Sequence, residues 1–128
     1  MSARLTRSER LRGKDKIEAL YKNGQSITNF PLKVIWMPTE LPDASANIVF
    51  SVPKRKFKRA VDRNQIKRWM REAYRLNKQD LISELDKHEM QVSMFLIYLG
   101  KEIPDYSNIS DKIIVLLSRL KEEISQIK

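Results

Sequence analysis

Between Lys54 and Arg75 the chain places ten Lys/Arg residues against two acids, Asp62 and Glu72, whereas residues 76–128 carry seven basic and nine acidic side chains. The net charge of +9 is thus concentrated in one stretch, K-R-K-F-K-R-A-V-D-R-N-Q-I-K-R-W-M-R-E-A-Y-R. Lysine is a compact point charge and arginine a two-pronged donor, so the chemistry of such a stretch is recognition of phosphate oxygens. Arg63, Lys67, Arg71 and Arg75 recur every four residues, with Asn64 and Arg68 as a neighbouring row. Like charges at that spacing on a helix repel by roughly a few tenths of a kcal/mol each. A polyanionic ligand relieves that repulsion; the plainer alternative is a solvated face in which Arg71 and Arg75 pair with Glu72 or Asp80.

Bond-making chemistry has few candidates. The chain has no cysteine and one histidine, His88. That excludes disulfides, thiolate nucleophiles and two-histidine metal motifs, and His88 is expected to be an exposed surface residue. The glycines, at positions 13, 24 and 100, are too scattered for a phosphate-cradling loop. Asp80 and Glu84 form an i, i+4 pair on a solvated helix, and Glu122-Glu123 are simple neighbours. The expectation is no catalytic residue in this chain and no metal bound by the protein alone.

The elements that must carry the basic stretch follow from periodicity. With 128 residues, one domain is expected, residues 1–128, with residues 1–12 (Arg4, Arg7, Arg10, Arg12) as a mobile basic arm. Ile17, Leu20 and Tyr21 mark one face of a first helix closed at Asn23-Gly24. Tyr21 has two readings there, a core aromatic or a platform on which a base stacks. Residues 32–37 and 47–52 read as strands, most simply paired as an antiparallel hairpin, with a short extra strand at 25–28. Alternation sets Ile48, Phe50 and Val52 on one face of the second strand and Asn47, Val49 and Ser51 on the other, more polar face, open to a ligand.

After the loop Lys54 to Arg59, where Phe57 is either an anchor or a stacking ring, Asp62 is predicted to cap the basic helix with Gln65 completing a capping box. Ile66, Trp69, Met70, Ala73 and Tyr74 form its core stripe. Asp80 to Lys87 reads as a short helical continuation, Gln91 to Leu99 as a buried strand, and Ile109, Ile113, Leu116, Leu117, Leu120 and Ile124 as the stripe of a last helix. The order α-β-β-β-α-β-α is α+β, with a βαβ unit joining the second main strand to the last. No apolar run approaches the roughly 20 residues of a membrane-spanning helix, and the N-terminus lacks the apolar segment of a secretory signal, so a cytoplasmic protein with no membrane partner is expected.

The stretch Phe50 to Arg75 resembles the strand-loop-helix signature of the protein subunit of bacterial ribonuclease P, and Arg10 to Gly24 resembles that family's first helix. The resemblance implies a two-layer α/β sandwich with a left-handed βαβ crossover. It implies binding to a large catalytic RNA, ribonuclease P RNA, in a one-to-one ribonucleoprotein with a monomeric protein. The complex acts as an endoribonuclease that removes the 5′ leader of precursor tRNA, with the catalytic site in the RNA and Mg²⁺ bound mainly by the RNA. The RNA-facing positions it implies are Lys54, Arg55, Lys56, Lys58, Arg59, Arg63, Asn64, Lys67, Arg68 and Arg71. Ile17, Tyr21 and Ser51 would line a leader-binding cleft between the first helix, the sheet and the basic helix. Gln65 stands where the family's Arg-Asn-Arg motif ends in Arg, and Ile17 where the family has an aromatic. A ribosomal or ribosome-associated RNA-binding protein without enzymatic role is the alternative, and a DNA-binding regulator, which would want a helix-turn-helix, comes third.

Overall fold

The structure is a computed structural model that describes residues 5–127. Its elements in chain order are α1 (Lys14–Asn23), β1 (Gln25–Asn29), β2 (Leu32–Thr39), β3 (Ala46–Ser51), α2 (Ala60–Asn77), α3 (Gln79–Lys87), β4 (Gln91–Tyr98) and α4 (Tyr106–Ser125). This is the expected α+β sandwich. The extra strand at β1 is present, and the continuation after the basic helix is a separate helix, α3.

The four strands form one mixed sheet in the order β1-β2-β4-β3. β2 and β3 are not the hairpin expected from sequence. β4 lies between them, antiparallel to β2 with Trp36 opposite Met94, and parallel to β3 with Val49 opposite Phe95. The reason is legible in β4 itself. Val92, Met94, Leu96 and Tyr98 are buried on one face while Phe95 and Ile97 pack on the other. A strand apolar on both faces belongs in the middle of a sheet. β3, with Asn47 and Ser51 on its second face, tolerates an edge. The βαβ unit survives as β3, α2 plus α3, and β4.

One face of the sheet carries the main core. Leu32, Val34, Trp36, Ile48, Met94 and Leu96 meet Ile66, Met70, Ala73 and Tyr74 of α2 and the predicted stripe of α4. Each such fully buried apolar side chain contributes roughly 1.5–3 kcal/mol relative to exposure, and that stripe is what anchors α2 to the sheet. Burial also pushes the Tyr74 phenol up, with the nearby Glu9 carboxylate adding to the shift. α4 starts from a cap, the Asp105 carboxylate accepting from the Asn108 N–H at 2.8 Å.

The opposite face carries α1. Leu20 and half-buried Ile17 pack with Ile35, Met37, Val49, Phe95, Ile97 and Leu11. Gly24 closes α1, and a Cβ there would come within 2.6 Å of Ile35 Cγ2 and 2.7 Å of the Leu20 carbonyl oxygen. Helix and sheet touch there, and no side chain fits between them.

Residues 5–12 are not the free arm expected from composition. Leu5 and Leu11 are buried, residues Arg7–Glu9 form a single 3-10 turn, and Arg10 bridges to Ile48 of β3. Two leucines among the arginines help to dock the segment, together with the Leu11 N–H to Ile48 carbonyl bond at 3.0 Å. Arg4, with the rest of residues 1–4, lies outside the described residues.

Candidate nucleic-acid interface

The basic helix starts three residues earlier than its sequence signals suggest, at Ala60. Arg59 is the extended N-cap residue, with no side-chain cap, and Asp62 sits inside the first turn. The expected capping box of Asp62 and Gln65 is therefore corrected. Two interactions take its place. Arg63 Nη1 donates to the carbonyls of Phe57 at 2.7 Å and Lys58 at 3.0 Å, tying the loop to the helix. Asp62 approaches Arg59 Nε at 4.0 Å and, being acidic in the first turn, still complements the helix dipole. Phe57 anchors the loop from inside, buried with its ring centroid 5.9 Å from that of Tyr98.

Seven of the ten candidate RNA-facing positions are exposed: Lys54, Arg55, Lys58, Arg59, Asn64, Arg68 and Arg71. Lys67 is half-buried at the edge of the same helix face. Lys56 and Arg63 are also half-buried, and both direct donors at backbone carbonyls, Lys56 Nζ reaching the Leu99 oxygen. These two shape the interface from within. Arg75 is fully engaged, with Nε and Nη2 on the two Glu72 oxygens at 3.1 and 2.8 Å, which holds the Glu72 carboxyl below its usual range. The solvated-face alternative thus describes Arg75 and not Arg71, whose guanidinium lies 5.6 Å over the Phe50 ring.

The sheet face under α1 is organised around an aromatic. Tyr21 is 63% exposed, which removes the core-aromatic reading, and its ring stands edge-on to Phe95 of β4 with centroids 6.5 Å apart. Register places Val49 beside Phe95 and Ser51 beside Ile97, all four half-buried. Ile17 and Tyr21 of α1 and Ser51 of β3 therefore lie on the same side of the sheet, and the loop carrying Lys54 and Arg55 follows Ser51 in the chain. Phe95 was missed as a candidate. Its signal lies in the alternation of β4, where it shares a face with Ser93 and Ile97, away from Met94 and Leu96.

A second group was missed altogether. Arg10 and Arg12 line a groove of about 550 Å³ with Arg68, Arg71 and Phe50, along the outer edge of β3. No run of charge connects these two pairs in sequence.

Among the described residues, no three His, Cys, Asp or Glu side chains come together as a metal would need. His88 is half-buried and not the exposed residue expected, and its Nε2 meets Glu84 Oε2 at 2.9 Å one turn away on α3. No helix among them is long and apolar enough to cross a membrane. The arrangement can bind an extended, flexible polyanion through stacking and ion pairing.

The model of the family described as Ribonuclease P matches residues 5–121. The ribonuclease P protein component of Porphyromonas gingivalis is 35% identical over 106 residues, covering 82% of this chain and 77% of that protein. The same component of Chlorobium phaeobacteroides is 30% identical over 128 residues, covering 91% and 88%. The solved structure of the RNase P protein of Staphylococcus aureus has the same fold, with a TM-score of 0.72 at 22% identity over 88% of this chain and 95% of that one. That of the Thermotoga maritima RNase P protein gives 0.70 at 25% identity over 87% and 96%.

Proposed function

This chain belongs to the ribonuclease P protein family, and we propose that it acts as the RNA-binding subunit that lets a catalytic RNA remove the 5′ leader of precursor tRNA. The catalytic site belongs to the RNA, which also holds most of the Mg²⁺ the reaction needs. The protein and RNA join one-to-one in the cytoplasm, and precursor tRNA is their substrate. Family membership sets aside the alternative of a ribosomal protein without enzymatic role.

The observation that carries the proposal is the exposed Tyr21 edge-on to Phe95 on an open sheet face, next to a basic loop and helix. A single strand needs both features, since bases stack on aromatic faces and phosphates seek Arg and Lys. The leader strand would lie across Tyr21, Phe95, Val49 and Ser51. Lys54, Arg55, Arg68 and Arg71 would neutralise RNA phosphates, while Arg63 and Lys56 hold the loop in shape. The protein performs no bond-making step; it raises the affinity and the order of the assembled complex.

The deciding assay adds the protein to a bacterial ribonuclease P RNA and precursor tRNA at low Mg²⁺. Stimulated leader removal is expected, and its absence would overturn the proposal. A second measurement isolates the helix. Arg68→Ala and Arg71→Ala should each make the log-log salt dependence of RNA binding shallower by roughly 0.7–0.9. An unchanged slope would return that side chain to a merely solvated role.

A further inference from the structure

Residues 5–12 are held to the body by more than their two leucines. Glu9 Oε1 accepts from the Thr6 N–H at 2.9 Å and the Thr6 hydroxyl at 3.0 Å, folding the turn on itself. Its other oxygen pairs with Lys78 Nζ, at the junction of α2 and α3, with both side chains about four-fifths buried. The Glu9 carboxyl is held below its usual range, Lys78 and the two Thr6 bonds outweighing its burial. The segment then runs out extended at Arg10. Alternation turns Leu11 inward and leaves Arg10 and Arg12 exposed on its outer side.

That outer side faces α2. Arg10, Arg12, Arg68 and Arg71 line the groove along β3, and the acid among them, Glu72, is already bonded to Arg75. Four arginines in a groove of about 550 Å³, with the one carboxylate in its lining already bonded to Arg75, form a strongly cationic site of ligand size. It meets the Tyr21 face at Leu11 and Val49, and its floor at Ile48 and Phe50 belongs to the opposite side of the strand.

We propose that residues 5–12 are a pre-ordered strap, clamped by the Glu9–Lys78 pair, whose Arg10 and Arg12 complete with Arg68 and Arg71 a second binding site for an RNA phosphodiester backbone. The inference rests on the reading of this protein as an RNA-binding subunit. In this site Glu9 is a positioning residue that touches no RNA. It opposes the local positive charge, yet it favours binding because it holds two arginines in place before RNA arrives.

This makes a test in which charge and position predict opposite signs. Glu9→Gln raises the net charge by one, so electrostatics alone predicts tighter RNA binding. The strap predicts binding weaker by roughly threefold or more, since part of the population no longer has its arginines in place. It also predicts faster hydrogen exchange at the Leu11 N–H, which is bonded to Ile48 in the docked segment. Both side chains of the double variant Arg10→Ala/Arg12→Ala are exposed, so it is expected to fold as the wild type does and to bind about tenfold weaker. Its salt dependence should be shallower by about 1.4–1.8.

Binding of the full chain is measured separately to a bacterial ribonuclease P RNA and to leader-bearing and mature tRNA. Loss on the first assigns the groove to the catalytic RNA; loss confined to leader-bearing tRNA assigns it to the leader. Equal or tighter binding by Glu9→Gln, or an unchanged slope in the double variant on every RNA, overturns the strap. Failure of the wild-type chain to stimulate leader removal overturns the functional reading instead, and leaves these binding comparisons intact.

Discussion

Tyr21→Ala is expected to weaken binding of leader-bearing tRNA to the assembled complex by about 1–3 kcal/mol and to leave mature tRNA binding unchanged. The ring is 63% exposed, so its removal uncovers little core. What it takes away is the upper half of an aromatic pair whose lower half, Phe95, remains in the sheet. Tyr21→Phe keeps the stacking surface and should retain most of the affinity. The comparison to make is equilibrium binding of both tRNA forms by wild type and both variants. Equal loss for leader-bearing and mature tRNA would mean that Tyr21 supports α1 and not a nucleotide.

Trp36→Ala is expected to cost about 3–5 kcal/mol of folding stability, the largest effect of any single replacement considered. Trp36 is 1% exposed in β2, between β1 and β4, and its side chain faces the main core. Its indole N–H has no hydrogen-bond partner among the described atoms. Trp36→Phe therefore breaks no bond, and removing an unsatisfied donor offsets part of the lost packing. The two variants should differ clearly in urea midpoint at a similar slope, with Phe the milder. Equal midpoints would show that the side-chain volume left at position 36 does not set the cost. Because Ile35 and Met37 on the other face of β2 support α1, the alanine variant should also loosen the Tyr21 face.

Several elements were legible from periodicity because local geometry alone produces it. The apolar stripes of α2 and α4 lie where spacing put them, and so do the two faces of β3. Strand order was not legible. A loop joining two strands says only that they are consecutive, whereas adjacency depends on which strand is apolar on both faces, and that was β4. The capping signal at Asp62 misled for a related reason. A good cap residue also suits the first turn, and here Arg63, bonding back to the loop, allowed the helix to begin at Ala60.

The candidate site divides in the same way. Composition was enough to establish a cationic binding stretch over residues 54–75, and the resemblance of residues 50–75 and 10–24 named the family, because charge and motif are properties of contiguous residues. Which charges are free was visible only in the folded chain. Arg75, Lys56 and Arg63 look like Arg71 and Arg68 in sequence, but Glu72 and three backbone carbonyls lie within their reach. Tertiary structure likewise brought Arg10 and Arg12 to α2 and set Phe95 under Tyr21. Those contacts join residues far apart in the chain, and no local period encodes them; they exist because the sheet and its core hold both sides still.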